Sequence, residues 1–106
     1  MNARYNAVMN YFHSIMAIHG IELVLHARNK QGGVEPYYVT FNNSDIKQDG
    51  FLKGAYGDGY NFAEAVINYY ERIKGQVLVI NAESDNRQEI PIYDLVCYKD
   101  SSCTTT

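Results

Sequence analysis

Apolar residues recur along this chain with two different periods, and the switches between them mark its elements. Tyr5, Val8, Phe12, Ile15, Met16 and His19 fall at three- and four-residue intervals, which predicts a helix over residues 2–18 with Gly20 as its stop. The period then drops to two. Ile21, Leu23, Leu25 and Ala27 alternate with Glu22, Val24, His26 and Arg28, the pattern of a half-buried strand. A turn through Gly32-Gly33 leads to a returning strand over Tyr37–Phe41, with Pro36 near its start. The two strands are expected to form an antiparallel hairpin. Residues 42–54 carry no clear period and are expected to be a polar loop, with a short strand over 51–55 as one option.

A glycine-rich loop follows, with Gly54, Gly57 and Gly59 around Tyr56 and Tyr60. Asn61 then stands as a helix N-cap with Glu64 three residues on, a capping box. Ala63, Val66, Ile67, Tyr70 and Ile73 supply an apolar stripe for a second helix over 62–74, and Gly75 suits its C′ position. Val77 to Ile80 read as a buried strand within 76–82. The last strand is expected over 87–96, with Ile90, Ile92 and Tyr93 as apolar members and Pro91 confining it to an edge.

The order α-β-β-α-β-β predicts an α+β, two-layer domain: two helices on one face of a mostly antiparallel sheet of about four strands. A mixed sheet is the alternative, if the second helix crosses between parallel strands. Residues 1–98 are expected to form the single domain and 99–106 a flexible polar tail. At 106 residues the chain suits one core, and 46% hydrophobic residues with two prolines argue against disorder.

Charge narrows the function classes. Nine basic and twelve acidic residues give a net charge of −3, too little positive charge for a phosphate-tracking surface. That leaves no direct nucleic-acid binding expected, and the same balance is also too weakly acidic for a nucleic-acid mimic. Polar residues interrupt 1–20, so no signal peptide is read there, and no apolar run nears the roughly twenty residues needed to span a bilayer. Cys97 and Cys103 are expected to be free thiols in a cytoplasmic protein.

The remaining candidate chemistry is sparse. The glycine loop before a helix could cradle an anion, but no Lys or Ser/Thr follows as in a P-loop, and Asp58 within it would repel one. A tight connection using positive φ is the preferred reading. His13 and His19 are six apart on one helix and His26 is on a strand, so no metal site is expected. Cys97 has no neighbouring base, and the carboxylate pairs Glu83/Asp85 and Asp45/Asp49 sit in polar turns. The chain is read as non-enzymatic, with no catalytic residue, cofactor or metal.

The tyrosines carry the functional hint: ten in 106 residues, with no tryptophan. A core this small is not expected to absorb them all. Helical geometry turns Tyr69 about 100° from Tyr70, out of the apolar stripe, and strand alternation sends one of Tyr37 and Tyr38 outward. Exposed tyrosines favour protein interfaces. The expected partner-binding residues are Tyr38, Tyr56, Asp58, Tyr60 and Tyr69.

The segment GAYGDGYNFAEAVINYYERIKGQVLVI (54–80), extended to Ile92, resembles a module in small proteins of phages and prophages of Gram-positive bacteria. There a Gly-aromatic-Gly loop leads into an EA-containing helix, a glycine and an LV-rich strand. More distantly, the segment is similar to the loop and helix of HicB-like antitoxins. The resemblance implies a phage-type inhibitor of host defence, such as an anti-CRISPR protein, acting on a host protein or ribonucleoprotein that could be a Cas nuclease. It transfers no catalytic residue. Alternatives are a small-ligand or nucleotide-binding module using the loop amides, and a HicB-like antitoxin or structural homodimer pairing through the Tyr37–Phe41 edge.

Overall fold

The computed structural model describes residues 3–28 and 36–95. The Gly32-Gly33 turn, Tyr98, both cysteines and the 99–106 tail lie outside the described residues. The fold is α+β. Helix α1 (Ala3–His19) is followed by β1 (Leu23–Ala27), β2 (Tyr37–Phe41), β3 (Ser44–Gln48), β4 (Phe51–Lys53) and β5 (Gly57–Gly59). Helix α2 (Phe62–Ile73), β6 (Val77–Ile80) and β7 (Gln88–Pro91) complete it.

The strands form two sheets, in the orders β1-β2-β5 and β4-β3-β6-β7, and every pairing is antiparallel. The expected hairpin is present, with Leu23 opposite Phe41 and Ala27 opposite Tyr37. Pro91 lies on an edge strand, as its missing N–H requires.

Three short strands stand beyond the expected four. Residues 42–54 are not a polar loop but a hairpin, β3 and β4, and β4 falls within the short strand offered over 51–55. Asp49 (φ 52°) and Gly50 (φ 83°) both have positive φ, the conformation of a two-residue type I′ turn. Asn43 (φ 56°) turns β2 into β3, and its amide donates to Asn81 Oδ1 at 2.6 Å.

The glycine loop is itself a strand. Gly57, Asp58 and Gly59 pair with Val39, Tyr38 and Tyr37. The expectation of positive φ at these glycines is not met: among described glycines only Gly20, Gly50 and Gly75 adopt it. Glycine is required at 57 and 59 because α2 lies directly on β5. A Cβ on Gly57 would sit 2.1 Å from the Tyr69 backbone nitrogen, and one on Gly59 2.6 Å from that of Ala65.

This contact sets the rotation of α2. Its buried face is Ala65, Val66, Tyr69, Tyr70 and Ile73, while Ala63 and Ile67 are half-buried. The stripe is therefore turned toward Tyr69, and the expectation that Tyr69 faces outward is corrected: it is fully buried. The capping box forms with a shifted partner. Asn61 Oδ1 accepts from Glu64 N at 2.8 Å, while Glu64 Oε1 accepts from Tyr60 N at 2.6 Å. Gly75 (φ 76°) closes the helix.

The core is an aromatic hub. The Phe12 ring lies 5.0 Å from Phe41, 5.9 Å from Tyr69 and 6.3 Å from Tyr70. Buried hydroxyls find backbone partners: Phe41 N donates to the Tyr69 hydroxyl at 3.1 Å, and the Tyr70 hydroxyl donates to Tyr93 O at 2.8 Å and accepts from Leu95 N. The Tyr11 hydroxyl accepts from Tyr93 N at 2.8 Å. Tyr11, Tyr69 and Tyr70 thus each pin backbone through the hydroxyl.

Gly57→Ala and Gly59→Ala should each cost about 3 kcal/mol or more, because helix backbone cannot yield as a side chain does. Gly50→Ala, with open space but positive φ, should cost only about 1 kcal/mol. Urea unfolding compares them directly. Burial raises the pKa of Tyr70 and Tyr11 above 10.0, against hydrogen bonds from Leu95 and Tyr93 respectively. Stability is accordingly full below that value and falls as pH rises above it, since the unfolded chain ionises first. Tyr70→Phe should flatten this alkaline slope in denaturation measured against pH.

Candidate functional site

Register fixes which side chains share the outer face of the β1-β2-β5 sheet. Tyr38 lies opposite His26 on one side and Asp58 on the other. Their neighbours at alternate positions, Arg28 and Tyr56, project to the same side. The opposite face carries Val39, Phe41, Gly57 and Gly59 and is closed by the core and α2.

On the outer face the rings and cations form one connected stack. His26 lies flat on Tyr38, with ring centroids 4.5 Å apart and planes 12° from parallel. Tyr56 meets Tyr38 edge-on at 5.4 Å. The Arg28 guanidinium is 4.5 Å from the Tyr38 centroid and 5.6 Å from that of Tyr56. Arg72, from the last turn of α2, lies 5.8 Å from the Tyr56 centroid. Each cation–π contact contributes about 0.5–1 kcal/mol at such exposure.

Two polar ties hold the stack in place. Asp58 Oδ2 is 3.6 Å from Arg28 Nη1, an ion pair about 30% exposed on the carboxylate side and about a quarter on the other. Asn68 Nδ2 donates to Asp58 O at 2.7 Å, fastening β5 to α2. Beside Arg72 is a hollow of about 290 Å³ lined by Asp58, Asn68, Glu71 and Arg72. Lys74, at 2.7 Å, and Arg4 hold the Glu71 carboxyl below its ordinary pKa.

The structure divides the five expected site residues. Tyr38, Tyr56 and Asp58 come together on this face. Tyr60 is 63% exposed but makes no ring contact with the cluster among the described residues. Tyr69 belongs to the core. Asp58 is not an isolated carboxylate: its charge is spent on Arg28. Reading the sequence missed three members, His26, Arg28 and Arg72. The first two were legible as polar alternates within residues 21–28, but their meeting with Tyr38 depends on register. Arg72 needs the rotation of α2.

No family model matches the chain, and no curated protein or solved structure matches it. What the face can do follows from its own chemistry. Among the described residues no three His, Cys, Asp or Glu side chains converge on a possible metal position, and no helix is long and apolar enough to cross a membrane. Gly57 and Gly59 lie buried under α2, the Tyr60 N–H ahead of the helix already donates to the Glu64 carboxylate, and the Glu64 N–H of the first turn donates to Asn61 Oδ1. The patch offers tyrosine edges, an imidazole and guanidinium forks, the groups that anchor protein interfaces. The Tyr37–Phe41 segment is not a free edge, because β2 is paired on both sides.

A substitution pair checks the division between core and surface. Tyr69→Phe should cost about 1–3 kcal/mol, because it strands the buried Phe41 N–H. Tyr60→Ala should stay within about 0.5 kcal/mol of the parent. Thermal and urea denaturation of both variants measure the difference.

Proposed function

We propose that this protein is a non-enzymatic, phage-type interaction protein that binds and inhibits a host-defence protein or ribonucleoprotein in the bacterial cytoplasm. A Cas nuclease is one candidate partner, by analogy with anti-CRISPR proteins. The observation that carries this reading is the connected His26–Tyr38–Arg28–Tyr56–Arg72 stack on an open sheet face. Tyrosine and arginine dominate the residues whose truncation most weakens protein interfaces. Here they are already ordered by one another, so less side-chain entropy remains to be lost on binding.

Direct binding of single-stranded nucleic acid is the less suitable use of this face. Base stacking needs free ring faces, and the stack has already set His26 and Arg28 against Tyr38. The overall charge of −3 also opposes a polyanion. A protein surface, including the protein component of a ribonucleoprotein, suits the patch better. Tyr60 lies beyond the stack and is assigned to the rim of the contact.

The test is capture of partners from host extract and inhibition of candidate nucleases with three variants. Tyr38→Ala and Tyr56→Ala should each weaken capture and inhibition at least about tenfold while the fold persists. Phe51→Ala, 75% exposed on the remote β4, should leave both unchanged. Full activity in the two tyrosine variants would overturn the assignment of the surface.

A further inference from the structure

Arg72 is the one member of the stack whose charge is unanswered. Its side chain makes no ion pair with any described residue, and its guanidinium rests only against Tyr56. Arg28, the other cation on that ring, is already paired with Asp58. The surrounding charges do not redress the balance. Glu71 is shared between Arg4 and Lys74, and Asp94 acts on Lys74 and Tyr70. Counting Arg4, Arg28, Arg72 and Lys74 against Asp58, Glu71 and Asp94 leaves one positive charge, on a chain whose net charge is −3.

We infer that Arg72, braced on Tyr56 beside Arg28, receives an acidic side chain, Asp or Glu, from the protein partner. This rests on the reading of the stack as a partner-binding surface. A guanidinium fork matches a carboxylate with two parallel hydrogen bonds, and the contact with Tyr56, 5.8 Å from ring centroid to guanidinium, narrows the positions that fork can take. Tyr56, 42% exposed, leaves ring surface beside the fork for an apolar neighbour of that carboxylate. A phosphate backbone fits less well, because Asp58 and Glu71 line the adjoining hollow and would face its successive charges. A single carboxylate needs only the outer edge of Arg72.

The experiment is an NMR titration of the full chain, following the Arg72 Nε–H signal. The probes are a short peptide with two glutamates flanking a tyrosine, its glutamine counterpart, and an oligouridylate. The glutamate peptide should shift the signal saturably, and Arg72→Gln should weaken that binding about tenfold. The glutamine peptide and the oligonucleotide should leave it in place. Equal shifts with the glutamine peptide, a shift with oligouridylate alone, or no shift with any probe would each overturn the inference. Host capture separates it from the broader reading. Loss of capture in Tyr56→Ala with full capture in Arg72→Gln removes the carboxylate contact alone, whereas full capture in both removes the surface itself.

Discussion

Helix α2 lies on strand β5 with almost no space between the two backbones, and most of the structure is arranged around that approach. Gly57 and Gly59 permit it, since any Cβ there would overlap the helix backbone at Tyr69 and Ala65. With β5 so placed, α2 must turn its Ala65–Tyr69 row inward. Tyr69 then reaches the middle of the core and its hydroxyl meets Phe41 N. On the other side of the strand, alternation forces Asp58 and its neighbour Tyr56 outward. One steric constraint thus fixes both an interior contact and the composition of an exterior face.

Tyrosine serves two purposes in this chain, and the hydroxyl separates them. Tyr11, Tyr69 and Tyr70 satisfy backbone groups at the ends of β2 and after β7. A buried N–H left alone costs more than such a bond contributes net, so these phenols do work that phenylalanine cannot. Tyr38 and Tyr56 instead act through their rings, holding His26, Arg28 and Arg72 in place. An apparent surplus of rings is therefore partly an interior requirement and partly a surface one.

Both helices, the first hairpin, the capping box and the edge placement of Pro91 were legible, because each rests on local periodicity or on chemistry within a few residues. The β3–β4 hairpin was also written locally, in Asp49-Gly50, and β4 was legible as an option over 51–55, but the polar residues of β3 gave no strand signal. The status of Gly57 and Gly59 was not legible. A glycine admitting positive φ and a glycine admitting a neighbouring helix look alike in sequence, and only the tertiary contact tells them apart. The same contact reversed the expectation for Tyr69. Of the surface, Tyr38, Tyr56 and Asp58 could be named in advance. His26 and Arg28 required the β1–β2 register, and Arg72 required the helix rotation.

We propose that one face of the β1-β2-β5 sheet is the side that meets a partner. Hydroxyl-radical footprinting of the protein alone and bound to its captured host protein tests this most directly, because tyrosine, phenylalanine and histidine all report. His26 and Tyr56 should lose reactivity on binding. Phe51 and Tyr93, 75% and 66% exposed and away from the stack, should stay reactive. Protection of Phe51 or Tyr93 with His26 and Tyr56 still reactive would contradict it.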